Sequence, residues 1–371
     1  MKVALITYCL GYNYGAMLQT YATVKAITEL GHEVKLVNYH HPWSFGLDAR
    51  DWHNYIGRTP SVIISKLRTL LRQRTLRKRF SPMWSLWPLT EYYGSSAAKL
   101  RSNPPQCDCY ITGSDQTWNT LPSRELFAPY FLDFGNDNIK RISFAPSLGN
   151  VQFKAADVEW IIEHLKRYSA VSVREKGDVE YLKQLGITNT VQMPDPTMIV
   201  DRKVYDELIA NESHKKYAAV IYMLGGKDLQ REQLISQMLT DNGISLKNTL
   251  NIKLQTFHCK GAHNKIATVA EWVDSIANAG IVVTNSFHAV VFSLIYEKPF
   301  VYIRFSGNMA RNNNRVESLL DGSNEKHRMI ELSDKIDLSS YMNNPNFDKS
   351  INDFRKKGMD FLSRNILPTD K

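Results

Sequence analysis

Residues Gly113-Ser114-Asp115-Gln116-Thr117-Trp118-Asn119 place a carboxylate, amides, hydroxyls and an indole in one short run. This set suits sugar recognition: carboxylate and amide bond vicinal hydroxyls, and an aromatic face covers the C–H side of a ring. Asn13, Tyr14 and Gln19 supply similar groups near the N-terminus. A plainer account remains open, in which Asp115 caps a helix and Trp118 packs beneath it. Arg174 follows the apolar run Ala170 to Val173, where its planar guanidinium suits a carboxylate or phosphate, unless it only pairs with Glu175 at the surface. His288 opens an apolar helix behind Asn285 and Ser286. An anion there would meet free backbone N–H groups and a group able to donate a proton, although a lone histidine on such a helix also serves structure. Arg304 and the acid-free stretch from Ser306 to Arg315, with Arg311 and Arg315, add cations that solvent alone would also accommodate.

Placing these groups requires strand ends. Met1 to Tyr8 reads as a buried parallel strand, Gly11 to Gly15 as a loop, Met17 to Leu30 as a helix stopped by Gly31, and Val34 to Tyr39 as the next strand. This is the opening of a Rossmann-like unit, whose ligands lie at the carboxyl ends of strands. Residues 42–100 read as irregular. Cys109 to Thr112, Arg141 to Ala145 and Ala170 to Val173 are expected strands of the same sheet. After Met193-Pro194-Asp195-Pro196-Thr197, strands at Tyr217 to Leu224, Ile281 to Thr284 and Pro299 to Ile303 alternate with helices at Leu229 to Asp241, Thr268 to Asn278 and Ser286 to Tyr296. The expected fold is α/β, with two Rossmann-like doubly wound domains facing across a cleft. Residues 1–192 are expected to form the first domain, with a basic insertion at 58–80, residues 193–346 the second, and residues 347–371 a helix crossing back to the first domain.

The chain has 371 residues, enough for two domains with sizeable cores, and 43% hydrophobic against 22% charged residues excludes wholesale disorder. Its 46 Lys+Arg and 37 Asp+Glu give +9. Eight of the cations (Arg58, Lys66, Arg68, Arg72, Arg74, Arg77, Lys78, Arg79) lie in an acid-free run, so the remainder is nearly neutral and a broadly basic nucleic-acid binder is not expected. The N-terminus reads as a strand rather than a signal peptide, and no apolar run would span a bilayer. Cys9, Cys107, Cys109 and Cys259 lack zinc-site spacing and are expected to be reduced thiols of a cytoplasmic protein. G-x-G-x-x-G, Walker A, H-E-x-x-H and G-x-S-x-G motifs are absent, which removes the main support for dinucleotide oxidoreductase, P-loop, zinc-protease and esterase chemistry.

Taken in order, Asn13-Tyr14-Gly15-Ala16 with Leu18-Gln19, the Gly113 to Asn119 segment, Ser143-Phe144-Ala145-Pro146-Ser147-Leu148-Gly149, Ser172-Val173-Arg174-Glu175, Asp195-Pro196-Thr197 and Thr284-Asn285-Ser286-Phe287-His288 resemble the polysaccharide pyruvyl transferase family. The resemblance implies a fold similar to GT-B glycosyltransferases. It also implies transfer of the enolpyruvyl unit of phosphoenolpyruvate, a co-substrate rather than a cofactor, onto sugar hydroxyls to give a pyruvate ketal. Arg174 matches the family's Ser-Val-Arg arginine, expected on the donor together with Phe287. His288 matches the histidine of the Arg-Leu-His motif, expected as general acid. Ser286 stands where many members carry that motif's arginine, and Arg304, Arg311 or Arg315 is expected to replace it. Asp115 is the expected base or orienter of the acceptor hydroxyl, with Asn13, Tyr14, Gln19, Gln116, Trp118, Asn119 and Ser147 on the acceptor side. No metal is demanded. A nucleotide-sugar glycosyltransferase and a non-catalytic carbohydrate-binding protein of the same fold are the competing readings.

Leu67, Leu70, Leu71 and Leu76 fall at mostly helical spacing among the arginines of the basic run. That pattern fits a peripheral address on an anionic membrane surface, beside a polyprenyl-diphosphate-linked saccharide acceptor, or an ordinary helix packed on the first domain.

Overall fold

The computed structural model describes residues 1–39, 60–149, 151–254, 256–321, 323–333 and 335–367. Residues 40–59, Arg58 among them, fall outside this set, as do the side chains of residues 60–68, which include Lys66, Leu67 and Arg68. The chain begins β1 (Lys2–Ile6), α1 (Tyr14–Glu29), β2 (Glu33–Tyr39), α2 (Pro60–Trp84), β3 (Leu89–Gly94), α3 (Ala97–Ser102), β4 (Cys109–Thr112), α4 (Arg124–Phe127) and β5 (Lys140–Ser143). The five strands pair in parallel in the order β3-β2-β1-β4-β5. Helices cover both faces, so Val3 to Ile6 and Cys109 to Thr112 are buried without polar alternation.

There follow α5 (Ala155–Leu165), β6 (Ser172–Val173), α6 (Lys176–Gln184), β7 (Val191–Gln192) and α7 (Arg202–Ile209). The strand expected at Ala170 to Val173 does not join the first sheet as a full member. β6 pairs with β7, and it is joined to β5 by an Ile142–Ala170 bridge and by hydrogen bonds between Ser143 and Ser172 rather than by a regular ladder. A second sheet is then built from β8 (Tyr217–Tyr222), α8 (Leu229–Asp241), β9 (Thr249–Ile252), β10 (His263–Lys265), α9 (Val269–Ala277), β11 (Ala279–Thr284), α10 (Phe287–Ile295), β12 (Phe300–Ile303), α11 (Asn313–Leu319) and β13 (Met329–Ile330). Its parallel order is β10-β9-β8-β11-β12-β13. In both sheets the chain starts in the middle and winds outward both ways, which leaves a crevice at the carboxyl ends of β1 and β4, and of β8 and β11. Asn285 fixes the second crevice: its amide accepts from Leu224 N at 2.7 Å and donates to Leu224 O at 2.9 Å.

The two halves share one apolar core. Tyr14 of α1 stacks on Trp272 of α9 at 5.6 Å between ring centroids and meets Tyr222 edge-on. Residues 42–100, expected to be irregular, contain the helix α2 and the edge strand β3. The inner face of α2 is not free: Leu76, Phe80 and Met83 are buried, with Phe80 against Tyr12 and Tyr14. Arg72 donates to Leu254 O, and Arg79 lies 3.7 Å from Glu271, so α2 spans both halves. The last helix, α12 (Asp348–Ile366), sets Phe361 against Phe144, and Arg355 against Asp201 and Glu29. No helix among the described residues is long and apolar enough to cross a membrane.

Candidate active site between the two sheets

The loops leaving β1 and β4 are tied together where the first crevice opens. Thr7 Oγ1 donates to Ser114 O at 2.8 Å. Asp115 adopts a left-handed backbone (φ 75°), a conformation costing about 1–3 kcal/mol outside glycine. It is held there because Ser147 N donates to Asp115 O at 2.8 Å and Gln116 N to the Asp115 carboxylate at 2.8 Å. Ala145, on the adjoining segment, is left-handed as well, and its N–H is taken by Ser172 Oγ. The strain therefore concentrates where the ends of β4, β5 and β6 meet, and it leaves the Asp115 side chain partly open.

Arg174 leaves β6 into the interior. Its Nε donates to Glu175 at 2.9 Å, one Nη to Asp195 Oδ2 at 2.8 Å, and the guanidinium lies over the Phe287 ring at 5.4 Å. Burial pulls this guanidinium's pKa down, but Glu175, Asp195 and Asp115 outweigh it and hold the charge firmly. Its second Nη atom is buried with no protein partner. His288, in the first turn of α10, approaches Asp195 Oδ2 at 3.4 Å through Nε2, an electrostatic contact whose geometry makes no hydrogen bond. From the other side His288 is pressed by Gly15 of α1: a Cβ on Gly15 would stand 2.0 Å from His288 Nδ1. Arg315, in the first turn of α11, faces Arg174, Glu175 and Asp115, and its buried Nε has no partner. Burial and the neighbouring Arg174 push the Arg315 guanidinium pKa down, an arrangement that an arriving anion would relieve.

Several expected site residues face elsewhere. Trp118 is fully buried, stacked on Phe131, with its indole N–H donated to Tyr130 O, so it offers no face to a sugar. Tyr14 and Gln19 are equally buried: Tyr14 donates to Ala267 O, and Gln19 Nε2 to Thr7, Ala16 and Thr20. Ser147 spends its hydroxyl oxygen on Gly149 N. Asn13 caps α1 through Ala16 N yet stays exposed. Gln116 and Asn119 remain partly exposed, against Gly149, and with Asp115 and Asn13 they are the open polar groups on this side. On the second half, Arg304 is paired with Glu317 and lies 4.0 Å from Glu331, so its charge is already balanced. The stretch expected as a loop from Ser306 to Arg315 is a 3-10 turn, Gly307–Asn312, running into α11. Arg311 sits exposed on that turn, while Arg315 is turned inward. Ser286 is the N-terminal flanking residue of α10, and its N–H goes to Thr284 Oγ1. Asp195 was absent from the expected site. Its signal was present in the Asp195-Pro196-Thr197 motif, but nothing in the order of residues says what its carboxylate holds.

Behind Arg174, Glu175 and Asp178 are within hydrogen-bonding reach of each other. Burial first, then the Glu175 charge, pushes the Asp178 carboxyl well up, and Arg174 outweighs burial to hold Glu175 down. A proton kept on Asp178 supplies the donor that Glu175 Oε2 otherwise lacks. Because the folded pKa of Asp178 is raised, folding takes up a proton, and the associated stability is full below the unfolded carboxyl pKa and drains as pH climbs toward 8. Asp178→Asn, which still accepts from Leu148 N, is expected to melt above wild type at pH 8, with the gap narrowing toward pH 5. Melting curves across that range check the sign; a gap constant with pH would dismiss the shared proton.

Among the described residues no three His, Cys, Asp or Glu side chains gather to hold a metal ion. Two doubly wound parallel sheets around one cleft make this a GT-B-like α/β protein. The UDP-GlcNAc 2-epimerase of Methanocaldococcus jannaschii has the same fold: TM-score 0.51 at 9% identity, covering 98% of each chain. The Neisseria meningitidis UDP-GlcNAc 2-epimerase bound to UDP-GlcNAc gives TM-score 0.49 at 10% identity, over 98% of this chain and 100% of that one. An Escherichia coli heptosyltransferase with ADP-2-deoxy-2-fluoro heptose gives 0.39 at 12%, over 83% and 90%. A search of curated protein sequences finds no match. The chain belongs to the polysaccharide pyruvyl transferase family, whose sequence model matches residues 13–307.

Proposed function

We propose that the protein transfers the enolpyruvyl unit of phosphoenolpyruvate to two hydroxyls of a sugar, forming a pyruvate ketal and releasing phosphate. The carrying observation is the convergence of three buried nitrogens without hydrogen-bond partners, an Arg174 Nη, Arg315 Nε and His288 Nε2, in a cleft where Asp115 is the open carboxylate. Buried donors left unpaired cost about 1–3 kcal/mol each, and a carboxylate-phosphate ligand would satisfy them. In this reading His288 protonates the methylene carbon while one sugar hydroxyl, relieved of its proton by Asp115, bonds to C2. The second hydroxyl then bonds to C2 as the C–O bond to phosphate breaks, and its proton leaves with the phosphate. Arg174 and Arg315 balance the carboxylate and the departing phosphate throughout. Arg315, rather than Arg304 or Arg311, is the one that replaces the arginine missing at Ser286, because its charge lies in the field of Arg174 and Asp115 while Arg304 is paired with Glu317 and Arg311 is exposed.

The test is phosphate release from phosphoenolpyruvate with a panel of galactosides, mannosides and N-acetylhexosamines. Arg315→Ala is expected to raise the KM for phosphoenolpyruvate at least tenfold and leave the acceptor KM within a factor of three; an unchanged donor KM removes Arg315 from the site. One observation favours a nucleotide-sugar donor instead. A cavity of about 180 Å³ at the carboxyl ends of β8 and β12 is lined by Gly225, Gly226, Lys227, Arg231 and Ser306 together with Asp228, which lies 3.4 Å from Arg231. Thermal stabilisation by UDP or GDP and not by phosphoenolpyruvate would move the function there.

The reading includes an anionic membrane surface for a lipid-linked acceptor. With Leu76 and Phe80 turned into the core, the outer face of α2 carries Leu71, Arg74, Arg77 and Lys78, all exposed, beside the loop after β1. At roughly 1 kcal/mol per basic residue near such a surface, this face would act mainly through charge. Sedimentation with anionic but not neutral liposomes tests it.

A further inference from the structure

We infer that Asp195 is the positioning residue that joins the two halves of the site, aiming both Arg174 and His288 from one carboxylate. This deepens the proposed transfer reaction and rests on that reading for its kinetic part only. The side chain of Asp195 has no solvent exposure and caps the turn Pro196–Met198, which packs against α1, α10 and α12. Its Oδ1 accepts from Thr197 N at 3.0 Å and Thr197 Oγ1 at 2.7 Å, which fixes the carboxylate plane. Its Oδ2 then faces two partners from different elements: Arg174, after β6, at 2.8 Å and His288 Nε2, on α10, at 3.4 Å. Burial works to protonate Asp195, but His288, Arg174 and Thr197 outweigh it and keep the carboxyl ionised, far below its usual range.

Two consequences follow from the donor count. The carboxylate occupies one Arg174 Nη, so the nitrogen left without a partner is the other one. When the imidazole is neutral, a carboxylate facing Nε2 also selects the tautomer that carries its proton on that nitrogen, the atom without a hydrogen bond in the protein. Every group around Asp195 is a donor, so two acceptor oxygens are needed. Asparagine has one, and its NH₂ would oppose either Thr197 or the Arg174 and His288 pair.

The experiment uses the full chain with ¹⁵N-histidine, read by imidazole nitrogen shifts, alongside phosphate-release kinetics. Asp195→Asn is expected to move His288 away from a single Nε2–H tautomer and to lower kcat at least 100-fold. Thr197→Val keeps the carboxylate and loses one anchor; it is expected to fold, retain the tautomer, and lose about threefold to tenfold in kcat with little change in KM. Thr197→Val keeps the test decisive if Asp195→Asn does not fold. An unchanged His288 tautomer in a folded Asp195→Asn, or wild-type kcat in Thr197→Val, overturns the inference. Wild type that shows the Nε2–H tautomer but releases no phosphate from phosphoenolpyruvate with any acceptor overturns the reaction and leaves the geometry standing.

Discussion

Gly15→Ala is expected to reduce ketal formation about 100-fold or more while leaving most of the thermal stability in place. Gly15 is the second residue of α1 and has an ordinary backbone, so no turn requires glycine there. In a helix glycine costs about 1 kcal/mol relative to alanine, and its presence in α1 needs another reason. The reason is the imidazole of His288, which occupies the space a methyl group would fill: a Cβ would lie 2.0 Å from Nδ1 and 2.5 Å from both neighbouring ring carbons. The ring cannot retreat, because Asp195 stands on its far side and Phe287 meets it edge-on. Accommodation needs a shift of His288, or of α1 relative to α10, by more than an ångström. Overpacking of this kind costs about 1–3 kcal/mol in stability, whereas a displacement of about 1 Å in a reacting group costs roughly 10²-fold in rate. Phosphate release and melting temperature measured on the same preparation check the contrast. Near-normal turnover would mean that the Gly15–His288 contact does not set the reacting geometry.

The elements that hold this contact were largely legible in the sequence. β1, β4, β8 and β11 are short apolar runs with glycine or polar residues at their carboxyl ends, and both faces of a parallel strand must be apolar, so their position and the crevice beyond them follow from pattern. In the segment 42–100 the spacing of Leu67, Leu70, Leu71 and Leu76 pointed to a helix, but its length, its inward face and the edge strand β3 were not legible. The inward residues of α2 are spaced among arginines, and the rings that Phe80 meets, Tyr12 and Tyr14, are far away in the chain. The site was legible by residue type but not by direction. Trp118 and Tyr14 carry the groups a sugar would meet, yet each ring turned inward once Tyr130 O and Ala267 O were available to take its polar hydrogen. Arg304 and Arg315 look equivalent in the sequence, and they separate only because Glu317, one turn along α11, neutralises the first. Asp195 reads as part of a proline-rich boundary until Arg174 and His288 arrive at the same oxygen.

His288→Ala carries the largest expected loss of rate, about 10²- to 10⁴-fold in kcat, the range for removing a general acid or base. The donor KM should change much less, because Arg174 and Arg315 still provide the charge that binds phosphoenolpyruvate. The fold should survive as well. His288 makes no hydrogen bond through Nε2, so its removal strands no partner, and Asp195 keeps Arg174 and both Thr197 donors. Truncation also clears the space beside Gly15, which couples this result to the first: in the His288→Ala background, adding Gly15→Ala should cost little further activity, since the ring it would strike is gone. Steady-state kinetics of the two single variants and the double variant measure that coupling. Full additivity would show that Gly15 acts through something other than His288. A single His288→Ala variant with wild-type kcat would remove the histidine from proton transfer and leave Asp115 and the arginines to account for the chemistry.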